Sequence, residues 1–151
     1  MTRVHHKEGD DFVDTLIGFS LKHPVPEVAQ FAAEILGKIG DKRAVEPLIA
    51  ILEGTPEPGL AEAATEALGK LKDMSAVPIL SHMLERGAMV VRVRAAGALG
   101  ELCGDEAVSA LESAAETDPN RTVRDAAEKA LARISAGGAS RLDTRLAQQS
   151  L

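Results

Sequence analysis

Residues 91–111 read VRVRAAGALGELCGDEAVSAL, and related stretches recur along the chain at a nearly constant spacing. The central leucine of this stretch, Leu99, has counterparts at Leu36, Leu68 and Leu131, and successive members are 32, 31 and 32 residues apart. An Ala-Val pair begins eight residues after each of the first three leucines. A period of this length predicts that similar structural units stack on one another.

Each unit is predicted to contain two helices, because its apolar residues follow the i, i+3, i+4, i+7 spacing of an amphipathic helix. A break separates the two helices, Gly40-Asp41 in the first unit and Lys72-Asp73 and Gly104-Asp105 in the next two. Glycine permits a positive φ there, and aspartate accepts hydrogen bonds from the free amides of the following helix. Pro47 and Pro78 predict that two second helices begin just before the proline, after a tighter turn. We expect helices near residues 11–22, 26–39, 43–53, 59–71, 75–86, 89–102, 106–116 and 121–135.

The chain is predicted to hold one folded domain between two tails. Residues 1–10 form a polar N-terminal tail, and residues 11–135 form the repeat domain. After Ser135 the glycines Gly137 and Gly138 are expected to end the last helix. Residues 136–151 are therefore predicted to be a flexible C-terminal tail.

The only aromatic residues are three phenylalanines, all near the N-terminal end of the repeats. Phe12 and Phe19 are seven residues apart on the first predicted helix, and Phe31 falls on the second. No further repeat is predicted to cover the core at this end, so we expect the three rings to cluster there as a cap. On that interpretation, Phe19→Ala costs about 3–5 kcal/mol through the cavity it leaves.

The composition of the 151-residue chain limits the function classes. Its 25 alanines and 17 leucines favour closely packed helices over β-sheet. With no Trp or Tyr and a net charge of −6, the chain lacks stacking platforms and repels phosphates, so we expect no nucleic-acid partner. No apolar run reaches the ~20 residues of a membrane span, and the N-terminal residues lack a signal-peptide core. With a single cysteine, this predicts a cytoplasmic protein that has no membrane partner.

The pattern V-R-x-x-A-A-x-A-L-G-x-L-G-D-x-x-A-V-x-x-L resembles the HEAT repeat in its short form, first noted in phycobilisome lyases. The residues that carry the resemblance in the third unit are Val91, Ala95, Ala98, Leu99, Gly100, Leu102, Gly104, Asp105, Ala107, Val108 and Leu111. Over residues 11–135 it implies an all-α, right-handed α-solenoid of about four helical hairpins. It also implies that the second helix of each hairpin lies on the concave side.

Families with this repeat include bilin lyase subunits, a di-iron hydroxylase, an alkyl-base DNA glycosylase and many interaction scaffolds. The hydroxylase carries paired His-Glu dipeptides, and this sequence has none. His82 is interpreted as a solvated residue on the second helices, and the lone Cys103 as structural or incidental. The sequence therefore predicts no catalytic residue, no metal ligand and no cofactor.

Several arginines give the third and fourth units a positive edge in an otherwise acidic chain: Arg86, Arg92, Arg94, Arg121 and Arg124. The resemblance implies that the arginine of each Val-Arg pair bridges the aspartate of a turn, such as Asp73 or Asp105. A docking patch for an acidic partner is the alternative interpretation of these arginines.

The presumed concave strip combines polar and apolar side chains and contains no catalytic set, which suits protein recognition. The predicted partner-binding residues are Asp14, Arg43, Glu46, Ile79, His82, Met83, Ser109, Glu112 and Ser113. We therefore expect a non-enzymatic scaffold that binds a protein or peptide along the concave face. The alternative is an accessory subunit of a bilin lyase or of a cofactor-inserting enzyme. The expected state is a monomer or a weak end-to-end dimer formed through Val123, Ala127, Leu131 and Ile134.

Overall fold

The computed structural model describes the backbone of residues 11–149 and the side chains of residues 11–137. Within this range the chain forms helices and no strand. The helices are α1 (residues 11–20, of which Leu16–Ser20 is π-helical), α2 (Pro26–Ile39), α3 (Val45–Gly54), α4 (Pro58–Leu71), α5 (Val77–Arg86), α6 (Met89–Leu102), α7 (Asp105–Thr117) and α8 (Arg121–Gln149). The polar tail predicted at residues 1–10 lies outside the described residues.

The helices form two rows of one stack. We call α2, α4, α6 and α8 the first helices, and α1, α3, α5 and α7 the second helices. Each first helix packs on the next first helix, and α3, α5 and α7 each also contact the first helix that follows. The prediction of an all-α solenoid built from helical hairpins is confirmed.

One aliphatic core runs through the stack. The leucines of the first-helix column, Leu36, Leu68 and Leu99, are fully buried. So are the leucines of the second-helix column, Leu48, Leu80 and Leu111. Burying a leucine side chain stabilises the fold by about 1.5–3 kcal/mol. The residues that define the repeat in the sequence therefore also form its core.

Small residues set the spacing of the first helices. A Cβ atom on Gly37 would lie 2.9 Å from the Cα of Ala67, and one on Gly69 would lie 2.9 Å from the Cβ of Ala98. Gly100 approaches Ala130 in the same way. The second helices contact one another only sparsely. The first helices are therefore the more closely packed row.

The breaks inside the first two hairpins follow the sequence prediction. Gly40 and Lys72 adopt left-handed conformations with φ of 77° and 53°. Asp41 accepts a hydrogen bond from the amide of Arg43 at 2.9 Å, and Asp73 accepts one from the amide two residues on at the same distance. The 3-10 turns expected from Pro47 and Pro78 are present at Lys42–Ala44 and Met74–Ala76.

The break in the third hairpin differs from the prediction. Asp105 is already the first residue of α7, and it does not cap that helix. Cys103 and Gly104 both have positive φ, of 62° and 90°. Two consecutive residues with positive φ turn the chain directly into α7, so no 3-10 turn precedes this helix.

The predicted aromatic cap at the N-terminal end is wrong. The exposed fractions of the three rings are 53% at Phe12, 69% at Phe19 and 64% at Phe31. The π-helical half of α1 has one more residue per hydrogen-bonded turn than an α-helix, which changes which side chains face the core. The buried side chains of this segment are Val13, Leu16 and Leu21, and not Phe12 or Phe19. No helix among the described residues lies beyond α1 and α2 at this end, so the three rings stay largely exposed there. Phe19 meets the His23 ring edge-on, with the ring centroids 6.2 Å apart.

The structure also changes the expectations for the C-terminal end. α8 continues through Gly137 and Gly138 to Gln149, although the sequence predicted its end near Ser135. Each glycine costs a helix about 1 kcal/mol relative to alanine, which weakens a helix without necessarily ending it. The flexible tail at residues 136–151 stays a prediction.

The predicted end-to-end dimer surface is wrong for two of its four residues. Val123 and Ala127 are fully buried, because this face of α8 packs against the core rather than pointing outwards. Leu131 and Ile134 are partly buried against the same core. Glu128 is exposed instead. Within the described part of the chain, no helix is long and apolar enough to cross a membrane.

Candidate functional site

The predicted partner-binding residues lie mainly on the second helices, whose outer surface we call the second-helix face. Glu46 belongs to α3, Ile79, His82 and Met83 to α5, and Ser109, Glu112 and Ser113 to α7. Ile79 and Met83 are half-buried and pack against the core, whereas the other five side chains are exposed. The prediction that this face is the concave one stays a prediction.

Asp14 and Arg43, also predicted, form an ion pair near the N-terminal end. Arg43 Nη1 lies 3.1 Å from Asp14 Oδ1, and its Nη2 lies 2.8 Å from Asp41 Oδ2. The hydrogen bonds from the Arg43 side chain and amide hold the pKa of Asp41 below its usual range. Arg43 therefore connects α1 to the break of the following hairpin, which is a structural role.

Two grooves on the second-helix face meet at His82. One, of about 530 Å³, lies between α3 and α5 and is lined by Ile49, Pro78, Ile79 and His82 among others. The other, of about 500 Å³, lies between α5 and α7 and includes His82 and Ser113. The structure thus brings Ile79, His82 and Ser113 to grooves. Six of the nine predicted residues line neither groove: Asp14, Arg43, Glu46, Met83, Ser109 and Glu112.

A partly buried ion pair that the sequence did not predict joins α6 to the end of α7. Arg92 Nε lies 3.0 Å from Asp118 Oδ2, and only 17% and 6% of the two side chains are exposed. The Asp118 carboxylate also accepts a hydrogen bond from the Asn120 amide at 2.9 Å, and its backbone carbonyl accepts one from Arg124 at 2.7 Å. Asp118 is the C-cap of α7, where its negative charge interacts unfavourably with the helix dipole. An aspartate at such a position, in Thr117-Asp118-Pro119, therefore indicates that a cationic side chain lies nearby.

This network replaces the predicted arginine ladder. The arginines of the Val-Arg pairs, Arg92 and Arg124, both bind Asp118 and not the turn residues Asp73 or Asp105. Asp73 instead accepts hydrogen bonds from Ser75, which lower the pKa of its carboxyl group. The repeat period could not reveal this, because Asp118 is in the loop between hairpins and has no counterpart one period away.

A third groove, which we call the first-helix groove, was also missed. It has a volume of about 720 Å³, larger than those of the two grooves on the second-helix face, and its lining residues come mainly from α4, α6 and α8. Its lining combines the small or apolar residues Val93, Gly97, Ala98 and Ala126, which we call its floor, with both basic and acidic side chains. The sequence contains one indication of this groove. Gly97 occupies a repeat position at which the other three first helices carry the long side chains Glu34, Glu66 and Lys129.

Among the residues that the structure describes, no group of three or more His, Cys, Asp or Glu side chains could hold a metal ion. Cys103 is exposed and forms no disulfide. Its thiol lies 3.4 Å from the carbonyl oxygen of Gly100, one turn back along the chain.

The chain is similar to two solved structures with related helical stacks. Human deoxyhypusine hydroxylase shares 28% identity with a TM-score of 0.72 over 82% of this chain and 43% of that one. The complex of CpcE and CpcF of phycocyanin lyase from Nostoc sp. PCC7120 shares 29% identity with a TM-score of 0.68, over 84% of this chain and 55% of that one. This chain therefore spans about half the length of each.

A search of curated proteins gives no match. The profile of the HEAT repeats matches twice, at residues 13–92 and 45–132, and together the two matches include every complete hairpin. The repeat period, the buried leucine columns and this profile lead to one assignment. The chain belongs to the HEAT-repeat family.

Proposed function

We propose that this protein is a non-enzymatic scaffold that binds another protein or a peptide along its second-helix face. The observation that carries the proposal is the pair of grooves that meet at the exposed His82. Their lining combines apolar side chains such as Ile49 and Ile79 with polar ones such as Ser113. Protein interfaces have this mixed character, with an apolar centre and a polar rim.

Charge on the second helices indicates the kind of partner. Exposed carboxylates are frequent there, at Glu46, Glu53, Glu85, Glu112 and Glu116. The arginines of this row are engaged with acidic neighbours, Arg43 with Asp14 and Asp41 and Arg86 with Glu85 at 3.6 Å. A partner with a basic surface would therefore be attracted to this face, mainly through a faster association rate.

A pull-down from native lysate with a charge-changing variant tests the proposal. The variant Glu46→Arg/His82→Ala/Glu112→Arg alters three exposed second-helix positions. The control Glu27→Arg/Glu128→Arg reverses the same number of exposed carboxylates on first helices. We expect wild type and control to retain a common partner that the variant loses. Identical partner lists for all three proteins would count against the second-helix face.

The similarity to the phycocyanin lyase complex supports a second candidate, an accessory subunit of a bilin lyase or a cofactor-inserting enzyme. Incubation with a bilin and its apo-carrier protein, followed by absorbance spectroscopy, separates the two candidates. An unchanged spectrum would remove the lyase function. In either role we propose a cytoplasmic location, since the only cysteine is a free thiol.

A further inference from the structure

We propose that the first-helix groove is a second docking surface, which binds an acidic peptide segment. This surface goes beyond the proposed function, because it lies on the other row of helices and has the opposite charge. The groove has a volume of about 720 Å³ and continues across α4, α6 and α8. That volume lies within the range of natural ligand sites, about 300–1,000 Å³.

The missing side chain at Gly97 opens the middle of the groove. A Cβ atom at this position would meet nothing within 4 Å, unlike Cβ atoms at Gly69 on α4 and at Gly100, one turn further along α6. The equivalent positions in the other three first helices carry long side chains, Glu34, Glu66 and Lys129. Glycine in the interior of a helix lowers its stability, and no close packing explains it at this position. A ligand that approaches the helix backbone would explain it.

The groove is positively charged within an acidic protein. Five basic side chains line it, Lys70, Lys72, Arg94, Lys129 and Arg133, against the three acidic ones Glu66, Glu101 and Asp125. The formal charge of the lining is therefore positive, whereas the whole chain carries −6. A basic cleft in an acidic protein concentrates anionic ligands.

Four of the five basic side chains form ion pairs within the protein, and Lys129 is the exception among the described residues. Lys70 Nζ lies 3.7 Å from Glu66 Oε1. Arg94 is bound to Glu62 at 2.9 Å, and the hydrogen bond between them raises the pKa of Arg94. Lys72 and Arg133 share one carboxylate, that of Glu101, at 3.9 and 3.5 Å. Such exposed pairs at long distance are weak. Lys129 forms no ion pair with any side chain that the structure describes, so it is available to a ligand carboxylate.

The lining favours a peptide over a nucleic acid. Glu66, Glu101 and Asp125 lie among the basic residues and would repel a backbone that carries a charge at every step. A peptide can space its carboxylates to reach Lys129 and Arg133. Its small apolar side chains can then lie on the floor formed by Val93, Gly97, Ala98 and Ala126.

Backbone-amide NMR shifts measured during a peptide titration test the proposal. The probe is a synthetic peptide of repeated Glu-Ala-Leu units, and the control peptide has Lys in place of Glu. We expect the acidic peptide alone to shift the amides of Gly69, Gly97, Ala98 and Ala126. No binding of the acidic peptide at millimolar concentration, or shifts confined to α3, α5 and α7, would overturn the proposal. Equal shifts of the same amides by a single-stranded oligothymidylate would show a general polyanion site and also overturn it.

Variants in the groove test whether the acidic peptide binds there. Gly97→Gln fills the groove with a good helix former and should weaken the acidic peptide at least tenfold without lowering Tm. Gly54→Gln, at a glycine that also has open space around it, is the matched control and should bind like wild type.

Charge reversal tests the same groove independently. Lys129→Glu/Arg133→Glu should weaken binding of the acidic peptide tenfold or more, whereas Lys22→Glu/Lys42→Glu, with the same change in net charge, should not. Unchanged affinity of Gly97→Gln for the acidic peptide would overturn the proposal. The Glu46→Arg/His82→Ala/Glu112→Arg variant leaves this groove intact, so it should bind the acidic peptide like wild type and separates this test from that of the second-helix face.

Discussion

Arg92 and Asp118 form a bidentate contact, with Nε 3.0 Å from Oδ2 and Nη2 3.3 Å from Oδ1. Arg92 also donates a hydrogen bond to the carbonyl of Gly87 at 2.9 Å. The pair thus connects the start of α6, the loop before it and the end of α7. Removing one partner of this partly buried pair leaves the other charge uncompensated.

We expect Asp118→Ala to lower the free energy of unfolding by about 1–3 kcal/mol, measured by urea denaturation. Arg92→Met should cost a comparable amount, because it leaves the carboxylate of Asp118 buried. The double variant should lose clearly less than the sum of the two single losses, since neither charge then stays unpaired. Additive losses would show that the two residues act independently.

The glycines of the first helices should respond to alanine in opposite directions. Gly69→Ala places a Cβ 2.9 Å from that of Ala98 and should cost about 1–3 kcal/mol through overpacking. Gly97→Ala meets no neighbour and should stabilise the protein by about 0.5–1 kcal/mol. Thermal unfolding followed by circular dichroism gives both signs. A loss of stability in Gly97→Ala would mean that this glycine has a structural role.

Phe19 should contribute little to stability, although the sequence predicted it as a cap. Its ring is 69% exposed, so Phe19→Ala should change the free energy of unfolding by less than about 1 kcal/mol. Leu68→Ala is the comparison, because Leu68 is fully buried in the middle of the stack and should cost about 2–5 kcal/mol. A loss of several kcal/mol from Phe19→Ala would show that the ring is covered in solution.

The pH dependence of stability should include the carboxylate of Asp41. Hydrogen bonds from the side chain and amide of Arg43 lower the pKa of the Asp41 carboxyl group in the folded protein below its ordinary value. The ionised carboxylate therefore stabilises the folded protein at pH values above the ordinary pKa of an aspartate. This contribution is lost as the pH falls through the lowered pKa of the folded state. We expect Asp41→Asn to have a lower Tm than wild type at neutral pH, with the difference shrinking in acid. A difference that does not depend on pH would contradict this assignment.

The sequence predicted those features that recur at the repeat period. The columns of Leu36 and Leu48 predicted the core, because these contacts recur in every hairpin. The dipeptides after the first helices predicted the breaks of the first two hairpins, but not the geometry of the third. The π-helical turn of α1 was not predicted, since one inserted residue changes which side chains face the core while the apolar pattern stays similar.

Features formed between hairpins could not be predicted in the same way. Asp118 meets Arg92 across 26 residues and has no equivalent in other units, so no periodicity marks the contact. The first-helix groove depends on how closely three helices stack, which the alanine and glycine content indicates but does not locate. Of the nine predicted partner-binding residues, only Ile79, His82 and Ser113 lie in grooves, because spacing assigns residues to a face and not to a depression in it.

Hydrogen exchange of the protein with and without its captured partner tests the scaffold function most directly. We expect the partner to slow amide exchange along α3, α5 and α7, with the strongest protection around His82. The Glu46→Arg/His82→Ala/Glu112→Arg variant should show no such protection at the same concentrations. Protection confined to α2, α4 and α6, or an exchange pattern that the partner leaves unchanged, would contradict binding through the second-helix face.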